Sequence, residues 1–185
     1  VCPIRGGPHH YWIRTTDMLD TVILALCGAN LVFMAAWMTV GALENLFHPF
    51  LNETYTAEVM DMARMREDYP EAYALVAYRR LTNARLRKWL FGVIVAFELL
   101  AMVLLWGAAV SVLLALLGIA SAETSLALGL VGAGAFSSVW AGFLVVGNYF
   151  CYWFGHEGGQ NTHFQMLQWG LLSTIVLIAS SVALV

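Results

Sequence analysis

Charged residues are the scarcest class in this sequence. They make up only 11% of the 185 residues, whereas hydrophobic residues make up 61%. A soluble domain usually has about 25% charged residues. A chain of this length that folds in water also leaves much of its surface exposed, so one core cannot hide such an apolar excess. The composition therefore excludes an ordinary soluble domain and favours a protein whose surface faces lipid.

Basic residues are absent from the second half of the chain. All nine lysines and arginines precede position 89, and the only charged side chains after Lys88 are Glu98, Glu123 and Glu157. A nucleic-acid-binding protein needs a basic face, and this chain has none once the membrane is considered. The sequence therefore excludes nucleic acid as a partner.

Cysteine is also scarce, with Cys2, Cys27 and Cys151 as its only occurrences. They form neither a CxxC pair nor a metal-binding spacing. Cys27 lies within an apolar run, where a cysteine behaves as a small hydrophobic residue. Neither a disulfide framework nor a metal site is predicted.

Long apolar runs are abundant in the sequence. The first covers residues 21–43, and a helix needs about 20 apolar residues to cross the hydrocarbon core. Three further runs follow at 89–119, 125–151 and 164–185, and the SAETS turn with Ser121 or Thr124 as a cap separates two of them. The sequence predicts an all-α integral membrane protein, an antiparallel four-helix transmembrane bundle in a single domain.

The polar loop at 44–88 is predicted to contain an amphipathic helix. Asn52 is its expected N-cap and Pro70 its expected end. Apolar or aromatic side chains recur there at helical spacing: Tyr55, Val59, Met62, Met65 and Tyr69. The loop carries seven basic residues against two in the N-terminal tail, Arg5 and Arg14, so the positive-inside rule places it in the cytoplasm. Four spans put the polar segment at 154–163 on the same side as this loop.

Two polar residues are candidates for intramembrane chemistry. Glu98 lies within the second predicted span and Asn148 near the end of the third. An ionisable residue within a span usually marks a pathway or a polar partner. Glu98 is therefore either a structural hydrogen-bonding group or a group that handles protons or a ligand. In the second case Asn148 and Gln160 are its expected polar neighbours.

The segment at 154–163 supplies the polar loop candidates, which are His156, Glu157, Gln160, Asn161 and His163. Haem ligation by two histidines needs imidazoles inside the bundle, and no histidine lies in the middle of a predicted span. His156 and His163 are the one loop pair that merits a test for haem. A metal cluster with His48 is a second interpretation, but HExxH is absent, and solvated loop residues are the favoured one.

Small residues recur every fourth position in the third predicted span. Gly134, Ser138 and Gly142 form this small-residue stripe. Such a stripe lets two helix backbones approach closely in a membrane. We interpret it as a helix-packing surface rather than a ligand site.

Several stretches resemble a known family. They are LEN at 43–45, EVMDM at 58–62, FELLAMVLLWGA at 97–108 and GNYFCYWFGHEGGQNTHFQ at 147–165. In their order and content they resemble the bacterial family of predicted small integral membrane proteins, domain of unknown function 2165. The chain departs from that family's pattern at Glu58, at Asn148 and Tyr149, and at Glu157 and Gly158. The resemblance implies four spans but brings no established activity.

The leading functional hypothesis is a non-catalytic accessory or assembly subunit of a bacterial inner-membrane complex. It rests on the small size and on the small-residue stripe, with the lipid bilayer and other membrane subunits or further copies of the chain as partners. The first alternative is a small transporter or proton-linked carrier that uses Glu98. The second is a quinone- or haem-binding electron-transfer subunit. No catalytic residue and no resident cofactor are predicted.

Overall fold

The computed structural model describes residues 15–184. The tail residues Cys2, Arg5 and Arg14 lie outside this range. The described range contains helices and no strand, which confirms the all-α prediction. The elements are α1 (Thr15–Phe47), α2 (Phe50–Met60), α3 (Ala63–Asp68), α4 (Pro70–Val76), a 3-10 turn (Ala77–Arg79), α5 (Ala84–Leu116), α6 (Ala122–Tyr149) and α7 (Glu157–Leu184).

Four of the described helices, α1, α5, α6 and α7, are long and apolar enough to cross a membrane. Helix α1 packs on α5, α5 on α6, and α6 on α7, whereas α1 and α7 contact each other far less. The shared core contains Leu31, Met34, Leu105, Phe136 and Leu177. Many large apolar side chains point outward, as expected where lipid is the solvent.

The helix limits differ from the predicted spans mainly where polar residues begin a helix. Helix α5 starts at Ala84, because the Asn83 side chain accepts a hydrogen bond from the Leu86 amide at 3.1 Å. The Ser121 side chain accepts a hydrogen bond from the Thr124 amide at 3.1 Å and is the N-cap of α6. Ser121 was one of the two residues predicted to cap this helix. Helix α7 begins at Glu157 and so includes residues that the sequence assigned to a polar loop.

The amphipathic segment of the first loop is two helices rather than one. Helix α2 begins at Phe50, so the prediction that Asn52 caps it is wrong. The Asn52 side chain instead bonds to Asn45 inside the bundle. The helix breaks at Met62, whose φ of 50° is left-handed, and α3 follows. Pro70 then starts α4 in the first-turn position that proline tolerates, which confirms the predicted break.

One carboxylate of this loop, that of Asp61, pairs with three of its seven basic residues. Asp61 forms ion pairs with Arg80 and Arg87 at 3.0 Å and with Arg66 at 3.3 Å. Burial alone raises the pKa of Asp61, but the hydrogen bond from Arg80 and the three positive charges lower it overall. Asp61 therefore ties the end of α2 to the segment that leads into α5.

Helices α2 and α3 cover one end of the bundle. Val59, Met62 and Met65 pack there against Phe150 and Tyr152 from the connection between α6 and α7. We call α2, α3 and residues 150–156 the cap. This contact confirms that the long loop and the polar segment near position 156 share one side of the bundle.

Candidate functional site

A cavity of about 1010 Å³ lies beneath the cap, between α1, α2, α5, α6 and α7. It forms where α1 and α7 separate from each other. Since these two helices are the first and last of the bundle, no further helix of the described chain fills the space between them. The cavity therefore results from the gap between the first and last helices of the bundle.

Polar contacts hold α1 and α7 together below the cavity. The Asn30 side chain donates to Ser173 Oγ at 2.9 Å and accepts from Trp169 Nε1 at 3.0 Å. Further along, Cys27 Sγ donates to Ser180 Oγ at 3.3 Å. These bonds close the α1–α7 seam in the far half of the bundle and define the floor of the cavity.

The cavity opens sideways in the near half of the same seam. Phe33, Trp37 and Val40 of α1 line it, yet they are 65%, 47% and 72% exposed. A residue that both lines the cavity and faces the outside marks its mouth. These positions lie within a membrane-crossing helix, so the mouth faces the bilayer. The cavity and the lipid-facing surface of α1 are therefore continuous at these positions.

Glu98 lies in the wall of this cavity and is only 6% exposed. Its Oε2 accepts a hydrogen bond from Asn45 Nδ2 at 2.7 Å. Asn45 Oδ1 in turn accepts from Asn52 Nδ2 at 2.6 Å. This chain of three side chains joins α5, α1 and α2. It positions the Glu98 carboxyl and links the membrane interior to the cap.

The opposite wall is aromatic. His163 of α7 stacks on Phe143 with ring centroids 4.7 Å apart, and the ring of Trp140 is 5.7 Å from it. Tyr152 of the cap stacks on the same imidazole at 6.0 Å. Burial raises the pKa of the Tyr152 phenol to about 12, with a further contribution from Tyr55, so this group stays a hydrogen-bond donor.

Three buried polar atoms of this wall lack a hydrogen-bond partner within the described part of the chain. They are Trp140 Nε1, Tyr152 Oη and His163 Nδ1. All three residues line the cavity. An unsatisfied buried polar group costs about 1–3 kcal/mol, so three at one site favour a molecule that supplies the missing partners.

The predicted neighbours of Glu98 lie elsewhere. Asn148 is exposed at the end of α6, and its Oδ1 accepts a hydrogen bond from Gln160 Nε2 at 3.4 Å. These two side chains therefore bond to each other, and the partner of Glu98 is Asn45. The sequence could not distinguish these amides because the helix register decides which of them faces α5.

The expectation that residues 156–163 are solvated loop positions is wrong for both histidines. His156 is 6% exposed, its ring lies 4.7 Å from that of Tyr55, and its Nε2 has no partner among the residues described. Burial lowers the pKa of His156, and the Arg64 charge lowers it further. His163 belongs to α7, whereas Glu157 and Asn161 are exposed near its start.

The haem and metal hypotheses receive no support from this arrangement. His156 lines a small crevice under the cap and His163 lines the large cavity, so the two imidazoles face different spaces. His48 is exposed at the end of α1. Within residues 15–184, no three His, Cys, Asp or Glu side chains are grouped to hold a metal ion.

The small-residue stripe faces outward. A Cβ added at Gly134 or Gly142 would meet no described atom within 4 Å, and Ser138 is exposed. The close helix contacts of α6 use other positions, with Gly132 against α5 and Gly129 against Leu31 and Leu177. Helix packing at the stripe therefore stays a prediction, and the packing helix would have to come from a second chain.

Several site residues were missed from the sequence. Asn30 and Asn45 lie within or just after an uncharged run, and each amide there was a detectable signal. Trp140 of α6 and Trp169 of α7 also line the cavity. Nothing in the local pattern distinguishes a cavity tryptophan from an interfacial one.

These features define an integral membrane protein with four apolar helices and a cavity that opens to the bilayer. The sequence profile of a family described as predicted small integral membrane protein, domain of unknown function 2165, matches residues 24–180. The chain belongs to this family. Neither the curated proteins nor the solved structures give a significant match.

Proposed function

We propose that this protein binds a small amphiphilic molecule that enters its cavity from the bilayer. The observation that carries the proposal is the lateral mouth between α1 and α7, which leads to a buried polar site. Phe33 and Trp37 form the apolar entrance, and Glu98 with Asn45 forms the polar end. A ligand with an apolar body and one polar end matches this arrangement.

The size and lining of the cavity agree with such a ligand. Ligand sites in proteins usually have volumes of about 300–1,000 Å³, apolar walls and a few convergent polar groups. The cavity has about 1010 Å³ and a mainly aromatic and aliphatic lining. This space accommodates a single acyl chain or a comparable hydrophobic body, together with its polar group.

The unpartnered atoms on Trp140, Tyr152 and His163 give the site its specificity. Trp140 Nε1 is only a donor, whereas the Tyr152 hydroxyl both donates and accepts. A ligand oxygen near these atoms would restore hydrogen bonds that the chain itself does not supply. A fully apolar molecule would leave them unsatisfied.

Native mass spectrometry of the mildly solubilised protein tests the proposal. Ala36 lines the cavity, so Ala36→Trp fills its mouth. Ala25 is exposed on the same helix away from the lining, so Ala25→Trp is the matched control. We expect a retained small molecule in the wild type and in Ala25→Trp, and its loss in Ala36→Trp. A retained molecule in all three, or in none, would refute ligand binding in the cavity.

A carrier role that uses Glu98 extends the binding proposal. Its support is that the carboxyl lies in the cavity wall rather than in a purely structural contact. Glu98→Gln keeps the acceptor for Asn45 and removes the charge. We expect it to abolish proton-coupled uptake in vesicles without loss of folding. Unchanged flux in this variant would leave a binding protein without transport.

The accessory-subunit role in a bacterial inner membrane is the second candidate. The observation that favours it is the outward-facing stripe at Gly134, Ser138 and Gly142, which has no neighbour within the described chain. A partner helix could approach the backbone there. A mild pulldown from the native membrane tests it: a stoichiometric partner lost in Gly134→Leu supports the role, and migration as a lone monomer contradicts it.

A further inference from the structure

The charged side chains that line the cavity favour one kind of head group on the ligand. We infer that the cavity binds a cationic amphiphile, an alkylammonium group on an apolar chain, with Glu98 as its counter-ion and the aromatic wall as its cage. This inference rests on the proposed ligand binding and specifies its chemistry.

The first argument is the sign of the lining charges. Two carboxyl groups, those of Glu98 and Glu44, line the cavity, and no lysine or arginine of the described range does so. Arg66, Arg80 and Arg87 pair with Asp61 instead. Arg64 pairs with Glu58 at 3.6 Å. An anionic head group would enter a buried site without a positive partner, which is strongly unfavourable. A phosphate-bearing lipid is disfavoured for the same reason.

The second argument is the aromatic wall. Trp140, Phe143 and Tyr152 belong to this wall and line the cavity. Trp37 at the mouth and Trp169 beside the floor add two further tryptophan rings to the lining. Tryptophan faces attract ammonium groups through the ring quadrupole, and this attraction is larger when both partners are desolvated. Aromatic cages are a common way to bind quaternary ammonium groups, which cannot donate hydrogen bonds.

The third argument is the single hydrogen bond of Glu98 within the chain. Asn45 bonds to Oε2, and no hydrogen bond from the described residues reaches Oε1. The carboxyl therefore has one oxygen positioned by the protein and one available to a ligand.

Four probes that share one acyl chain test the inference in dodecyl maltoside micelles. Lauroylcholine carries the cation and an ester oxygen, methyl laurate is neutral, laurate is anionic, and lauroyl lysophosphatidylcholine adds a phosphate to the same ammonium group. Calorimetric titration gives a Kd for each. The ratio of Kd between variant and wild type is compared, because partition into the micelle then cancels.

For Glu98→Gln we expect lauroylcholine binding to weaken about tenfold or more, which corresponds to about 1.4 kcal/mol. The methyl laurate ratio should stay near one, and the lauroylcholine ratio should exceed that of the phosphate-bearing probe. Glu44→Gln is the matched control, because that carboxyl also lines the cavity but is exposed, and its effect should be smaller. Unfolding curves of each variant check that the fold is retained.

The outcomes separate the two proposals. Equal Kd ratios of Glu98→Gln for the cationic and neutral probes, or a ratio for laurate or for the phosphate-bearing probe as large as that for lauroylcholine, would overturn the cation inference. If Ala36→Trp still weakened every probe in that case, ligand binding in the cavity would stand. No binding of any probe to the wild type, or no effect of Ala36→Trp, would overturn both.

Discussion

Two glycines of α6, only two positions apart, should respond in opposite ways to the same substitution. A Cβ at Gly132 would lie 3.2 Å from Leu105 Cδ2, 3.3 Å from Leu105 Cα and 3.4 Å from the Leu104 carbonyl oxygen. Two of these atoms belong to the α5 backbone, which cannot rotate away as a side chain can. Gly132→Ala should therefore force α5 and α6 apart.

The magnitude follows from two opposing effects. Overpacking costs about 1–3 kcal/mol, and replacing a helical glycine with alanine returns about 0.5–1 kcal/mol. We expect a net loss of about 1–2 kcal/mol for Gly132→Ala. At Gly134 the added Cβ meets no described atom within 4 Å, so only the gain remains. The two variants should differ by about 2 kcal/mol in the free energy of unfolding.

Reversible unfolding in mixed micelles, followed by circular dichroism as the denaturing detergent fraction rises, measures this difference. Equal stability of the two variants would show that α5 and α6 are not in backbone contact at Gly132, and the packing described here would be wrong. A Gly134→Ala variant less stable than the wild type would indicate that another chain packs on the stripe. Dilution of the protein in the micelles then distinguishes association from a defect within the chain.

Three further perturbations address the cap and the floor of the cavity. Asp61→Asn should lower the free energy of unfolding by about 1–2 kcal/mol, because a neutral amide cannot pair with three guanidinium groups, and high salt should reduce the difference from the wild type. Because burial lowers the pKa of His156, the unfolded chain binds more protons below about pH 6.5, so stability should fall as the pH drops through that value. His156→Gln should lack that part of the pH dependence in thermal unfolding, and an unchanged slope would contradict burial of the imidazole. Asn30→Leu should leave Trp169 Nε1 without its acceptor and lower the free energy of unfolding in mixed micelles by about 1–3 kcal/mol, and an unchanged value would contradict this bond.

The sequence was sufficient for the class of fold. Apolar runs longer than a membrane is thick can only be helices that cross it, because every backbone polar group must bond within the helix. Such a run is a local property, so neighbouring residues were sufficient to predict the four spans and the N-cap residue Ser121 of α6. The polar Glu98 was recognisable for the same reason, since any acid within such a run is conspicuous.

Hydrogen-bond partners on different helices could not be predicted from neighbouring residues. Glu98 bonds to Asn45, which lies 53 positions away in the chain. Whether Asn45 or Asn148 meets it depends on the rotation and register of whole helices, which the packing of α1 on α5 sets. The same holds for the stripe at Gly134, where the spacing is correct for close packing but the face points away from the other helices.

The sequence by itself thus determined that the chain is helical, that it crosses the membrane, and which side chains are chemically capable of binding. Only the tertiary structure decided that α1 and α7 meet at Asn30 and separate above it, and that α2 covers the gap. Transmembrane helices bury similar amounts of apolar surface in many arrangements, because lipid and protein interiors are equally apolar. The arrangement is therefore selected by a few long-range contacts, and the cavity exists because those contacts close one half of the seam and leave the other open.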